Sequence, residues 1–106
     1  MKRYLARISL TPQAVKDLHK DKATGRRATV TKLVESVGGR IEAFYFSLAV
    51  DEVVGLAEFP GDNAATAIAI AVNGGGYAQI QITPLLPAEE VDAALAKAAG
   101  SRPPGQ

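Results

Sequence analysis

A chain of 106 residues, 47% hydrophobic and 22% charged, has the size and balance of one globular domain with a core of its own. Twelve basic against eleven acidic residues leave a net charge of +1, which offers little to nucleic acid or an anionic membrane. The lack of cysteine excludes disulfides, thiolate nucleophiles and thiolate metal sites, and the single histidine, His19, excludes a histidine metal cluster within one subunit.

MKRYLARISL, at the N-terminus, is interrupted by Arg7 and followed by no small-residue cleavage site, so it is expected to be a strand and not a signal peptide. Its alternation places Tyr4, Ala6, Ile8 and Leu10 on one side and Arg3, Leu5, Arg7 and Ser9 on the other. Thr11-Pro12 supplies a cap and a first-turn proline for a short helix, with Ala14, Val15 and Leu18 inward. KDKATG, from Lys20 to Gly25, is expected to interrupt that helix. From Arg26 it resumes, with Val30, Leu33, Val34 and Val37 on one stripe until Gly38-Gly39 ends it.

A second strand, Arg40 to Leu48, has large residues on both sides, so its two faces are not told apart. Ala49 to Asp51 is short enough for a hairpin, and Glu52 to Phe59 returns antiparallel. After Pro60-Gly61, Asp62 or Asn63 is expected to cap a helix over Ala64 to Val72. That helix is apolar nearly all round and calls for cover on more than one side. It is too short to span a bilayer, and a cytoplasmic protein is expected. The glycines of NGGGY, Asn73 to Tyr77, follow a helix and open a strand, the reverse of a phosphate loop, so they serve a turn. From Tyr77 to Thr83, Ala78, Ile80 and Ile82 face one way and Tyr77, Gln79, Gln81 and Thr83 the other. Beyond Pro84 and Pro87, a last helix carries Val91, Ala94, Leu95 and Ala98 on one stripe. SRPPGQ, residues 101–106, is expected to be a disordered tail to a single domain over residues 1–100.

The order β-α-β-β-α-β predicts an α+β, ferredoxin-like sandwich. Its four-stranded antiparallel sheet runs 4-1-3-2, with both main helices on one face and a C-terminal helix added. Inward-facing Tyr4, Ala6, Ile8, Val53, Gly55, Ala57, Phe59, Ile80 and Ile82 leave Arg3, Leu5, Arg7, Glu52, Val54, Leu56, Glu58, Gln79 and Gln81 on the open face. Pairing of the first and third strands would set Arg3 by Glu58, Leu5 by Leu56 and Arg7 by Val54. An apolar patch framed by charge in this way predicts a homodimer or higher homo-oligomer joined through the open face.

VESVGGRIEAFYFSLAVDEVVGLAEFPGDNAATAIAIAVN, Val34 to Asn73, resembles the GYD domain family of small bacterial proteins. The likeness extends from Arg3 to about Leu86. It rests on the strand Gly38 to Phe46, the EFPGD turn from Glu58 to Asp62, the alanine-rich helix, and Thr83 to Leu86. The Gly-Tyr-Asp that names the family would fall in the hairpin, where this chain has Ala49, Val50 and Asp51, so only the acid remains. The resemblance implies the dimeric α/β-barrel arrangement, in which two ferredoxin-like sheets pack face to face, and implies no particular reaction.

Asp51 and Glu52 are candidates for a general base, because a carboxylate is the usual choice where histidine is not at hand. They suit equally the wet corner of a hairpin. Arg7, mid-strand on a central strand, must find an acid such as Glu42, Glu52 or Glu58, or else an anionic ligand. Tyr45, Tyr77, Gln79 and Gln81 could add hydrogen bonds to a small polar ligand or to a wet subunit interface. His19, beside Lys20 and Asp21, suits a solvated helix end. Arg26-Arg27 is a basic pair and no more. The expectation is an oligomeric small-molecule-binding or scaffold-like domain, with no metal or cofactor and no nucleic-acid or membrane partner. The alternative is a cofactor-independent isomerase or monooxygenase of the dimeric barrel type. In it, Arg7 would orient an anionic or aromatic substrate while Asp51 or Glu52 moved a proton.

Overall fold

The computed structural model describes residues 1–100, so the tail expected over 101–106 lies outside the described residues. Eight elements follow in chain order: β1 (Lys2–Leu10), α1 (Pro12–Lys16), α2 (Leu18–Glu35), β2 (Arg40–Phe46), β3 (Glu52–Phe59), α3 (Asp62–Gly74), β4 (Ala78–Pro84) and α4 (Ala88–Ala99). The strands form one antiparallel sheet ordered β2-β3-β1-β4, the expected order read from the other edge. Arg3 pairs with Glu58, Leu5 with Leu56 and Arg7 with Val54, as the alternation predicts. No helix among the described residues is long and apolar enough to cross a membrane.

The covered face builds the core. Tyr4, Ile8, Val53, Ala57, Phe59, Ala78 and Ile80 are buried from the sheet, against Val34 of α2 and Ala65 and Ile68 of α3. Tyr4 meets Phe59 edge to face at 5.5 Å between ring centroids. Burying a side chain as large as Phe59 is worth about 1.5–3 kcal/mol. Asn73, near the end of α3, accepts from the Ile80 N–H at 2.7 Å and donates to its carbonyl at 3.2 Å. A side chain thereby stands in for a strand partner and ties α3 to β4.

Strand β2, which alternation alone leaves unoriented, contains a bulge. Ile41 pairs with Ala57 and Ala43 with Leu56, so Glu42 is an extra residue. The bulge shifts the period by one, which lets odd-numbered Ile41 and even-numbered Phe44 and Phe46 all pack against the core. Gly55 lies opposite. A Cβ there would meet the Ala43 carbonyl oxygen at 2.8 Å, so the bulge requires glycine across from it.

The helix is interrupted within the expected Lys20 to Gly25 stretch, and a second, earlier boundary at Asp17 separates α1 from α2. α1 ends at Lys16, and the break inside α2 is confined to Lys22, at φ 64° and ψ 159°. Helix then runs unbroken through Gly25, because a glycine weakens a helix without having to end it. Thr11 caps α1 by accepting from the Ala14 N–H at 3.2 Å. At the start of α3 the cap position is Gly61, not Asp62 or Asn63, and Asp62 instead stands in the first turn, where its charge suits the helix dipole. There its carboxylate accepts from the hydroxyl of Tyr4 at 2.5 Å and from Lys2 at 3.0 Å.

Candidate functional site

The open sheet face and the hairpin place the acids and Arg7. Ser47 and Glu52 close the hairpin through the Ser47 N–H and the Glu52 carbonyl, 2.9 Å apart. Within it, Asp51 accepts from the Ser47 hydroxyl at 3.1 Å, and its carbonyl accepts from the Leu10 N–H at 2.8 Å. Arg7 donates to Glu52 at 3.0 Å through Nε, with Nη2 at 2.9 Å, and its side chain is 58% exposed. Arg7, Ser9, Glu52, Gln79 and Gln81 together line a shallow depression of about 270 Å³. Tyr45 stands apart from it, exposed and paired with Val54 toward the other edge.

At the opposite end of the same face, Arg3 donates to Glu42 at 3.0 Å and Arg40 to Glu58 at 2.9 Å. The Glu58 carboxyl is held below its usual range by a hydrogen bond with Glu42 first and by Arg40 next. Between these charged ends lie half-buried Leu5, Ala43, Val54 and Leu56. The face thus has an apolar middle with ion pairs at both ends, the make-up of surfaces at which proteins interact.

A second site lies on the helix side. A void of about 60 Å³ inside the core is lined by Ala6, Val34, Ile41, Ile68, Ile80 and their neighbours, every one apolar. Ile8, Val30, Phe44, Val53 and Val72 line both that void and a cleft of about 320 Å³ between α2 and α3. The cleft's mouth carries Asp21, Arg26, Thr29 and Tyr77. An apolar floor with a few polar groups at one end is the usual make-up of a small-molecule pocket, and the volume is at the low end of the common range of about 300–1,000 Å³.

The mouth is a connected network. The Arg26 side chain is only 11% exposed, donates to the Ala14 carbonyl at 3.1 Å and lies 3.6 Å from Asp21. It also packs on the Tyr77 ring, 5.5 Å from its centroid, and donates to the Tyr77 oxygen at 3.3 Å. Tyr77 in turn donates to Asp17 at 2.5 Å, and Gln13 donates to the same carboxylate at 2.9 Å. That phenol, helped by Gln13, holds the Asp17 carboxyl below its ordinary value, while Asp17 pushes the Tyr77 hydroxyl up. The phenol therefore stays protonated at neutral pH and has its donor committed. Thr11 fixes the network's far side by donating to the Tyr77 carbonyl at 2.8 Å.

Tyr77 differs from the expected placement beside Gln79 and Gln81. β4 begins only at Ala78, and Gly76 at φ 71° turns the chain just before it, so the ring swings to the helix side. Arg26 is the residue that a reading of the Arg26-Arg27 pair as mere surface charge misses. The signal was present, since residues 26, 30, 33, 34 and 37 share one helical stripe and Arg26 begins it. His19 is exposed on α2 and is not among the residues that line the cleft. Among the described residues, no three His, Asp or Glu side chains converge to hold a metal ion.

A comparison with curated proteins finds no match to this sequence. The sequence model of the GYD domain matches residues 4–95, which takes in all of the sheet but the first two residues of β1, together with the cleft and the hairpin. The chain belongs to the GYD domain family.

Proposed function

We propose that the chain is a homo-oligomeric domain that binds a small molecule in the cleft between α2 and α3. The observation that carries this reading is the continuity of the cleft with the core void: one apolar floor, leading out to one polar mouth. The ligand this favours has an apolar body about the size of two fused rings and a neutral polar end. Asp17 and Asp21 flank the single cation of Arg26, so an anionic end group would meet more repulsion than attraction. The open sheet face supports the oligomer: Leu5, Val54 and Leu56 pair with a second copy in a two-fold, self-complementary contact.

Native mass spectrometry of the purified protein, before and after denaturation, reads assembly and bound ligand together. A titration with 1-naphthol, followed by its fluorescence, tests the cleft directly. We expect a dimer or larger assembly and saturable naphthol binding. Binding should be lost in Ala71→Trp, which fills the cleft, while assembly persists. Leu56→Asp should do the reverse to assembly. Absence of saturable binding would overturn the ligand site, and a monomer at all concentrations would overturn the self-association.

A further inference from the structure

The last helix has the stripe of a core helix and no core to cover. Val91 and Leu95 are 42% and 60% exposed, and α4 contains no buried residue. The radius of gyration, 17.2 Å, exceeds the roughly 13 Å of a compact domain of this length, and the extents are 59 × 29 × 24 Å. The helix nevertheless has the features of a stable element: Pro87 before it, Glu89 and Glu90 in its first turn and Lys97 in its last. An amphipathic helix of this kind is held by what its apolar stripe touches.

Where α4 leaves the body decides what it can touch. The Leu85 N–H bonds to the Arg3 carbonyl at 2.9 Å, which extends the β1–β4 pairing by one residue. Leu85 is thus in phase with Gln81 and Thr83, on the open face. Arg3, Glu58, Leu85, Leu86, Pro87 and Glu90 line a notch of about 490 Å³ between that face and the base of α4. The arm therefore springs from the rim of the surface that self-association would bury.

We infer that α4 is an arm that packs its Val91, Ala94, Leu95 and Ala98 stripe on a second copy of this chain. The inference rests on the sheet-face pairing proposed above. Area favours a second copy as what covers the stripe. Four strands spaced about 4.8 Å apart, with about seven residues at 3.3 Å each, offer roughly 450 Å² per protomer. Sheet pairing alone therefore buries roughly 900 Å², short of the about 1,200–2,000 Å² of stable interfaces. A helix of this length is about 18 Å long and 10 Å wide, so two arms, each burying itself and its footing, add roughly 700 Å². Together the two contacts reach the standard size. Neither apolar surface then remains in water.

The chain has no cysteine, so Leu95→Cys gives a single attachment point for a benzophenone photocrosslinker in the full-length protein. Irradiation should give a covalent species of dimer mass, and introducing Leu56→Asp into the same chain should abolish it. In sedimentation, Val91→Asp with Leu95→Asp should weaken the dimer at least tenfold; both positions are exposed in the protomer, so folding should survive. A dimer that yields only intrachain crosslinks, with an unchanged dissociation constant in the double variant, would overturn the arm and leave the sheet pairing standing. A wild-type monomer would overturn both.

Discussion

Arg26 and Tyr77 show how much of the cleft's mouth rests on a few side chains. Asp17 has its carboxyl held down by the Tyr77 phenol first and by Gln13 next. A carboxylate with a depressed pKa contributes stability above its unfolded value, near 3.8, and loses it as pH falls through the lower folded value. Tyr77→Phe removes the donor and should raise the Asp17 pKa toward its ordinary value in a carboxyl NMR titration. The melting-temperature gap between wild type and variant should be present at pH 6 and close below pH 4; a gap independent of pH would mean that packing, not the hydrogen bond, carries the effect. Val50 carries a different local cost. It is β-branched and sits at φ 55°, in the left-handed region, with its N–H on the Ser47 carbonyl at 2.9 Å. Left-handed backbone costs an L-residue about 1–2 kcal/mol, partly offset by the extra freedom glycine has when unfolded. Val50→Gly should therefore stabilise the protein by roughly 0.5–1 kcal/mol in urea denaturation. Nothing in the one-letter sequence marks Val50 as left-handed, since that conformation is imposed by closing the hairpin between Ser47 and Glu52.

At the scale of elements, period, pairing and the helical break were legible, and the bulge in β2 was not. The inward sets on β1, β3 and β4 follow from strict alternation, and the register of β1 on β3 follows from placing Arg3 beside Glu58. Strand β2 defeats that logic because the extra residue at Glu42 moves the inward set from odd to even numbers. Its partner offers a clue that alternation does not use: Gly55 interrupts the apolar run Val53 to Ala57, as glycine does where another backbone comes close. Gly55→Ala would put a methyl group 2.8 Å from the Ala43 carbonyl oxygen, an atom that cannot turn aside. Stability should drop by about 1–3 kcal/mol, typical of overpacking, and amide exchange should quicken across β2 and β3. An unchanged exchange pattern would show that the bulge tolerates a side chain opposite it. The break in the first helical segment was legible in KDKATG, where Lys22 leaves the helical conformation. What that stretch did not show is that helix resumes directly after Lys22, with the Arg26 side chain only 11% exposed against the Ala14 carbonyl and the Tyr77 ring.

For the molecule as a whole, the proposed pairing of two copies turns on what would drive it. The sequence shows a patch framed by charge, but not whether those charges wait for a partner. In the protomer they do not: Arg7 is paired with Glu52, Arg3 with Glu42 and Glu58, and Arg40 with Glu58. With a net charge of +1, long-range repulsion between copies is small as well. Association should then be driven by Leu5, Val54, Leu56 and the α4 stripe, with the ion pairs contributing orientation. Burial of apolar surface gives a negative heat-capacity change, whereas ionic contact gives steep weakening with salt. Dilution calorimetry between 10 and 35 °C should show a negative heat-capacity change for dimer formation. The dissociation constant should change less than about threefold between 50 and 500 mM sodium chloride, where the screening length falls well below the width of the face. A tenfold weakening would mean that these arginines exchange their partners for carboxylates of the second copy, making the rim, and not the apolar middle, the seat of self-recognition.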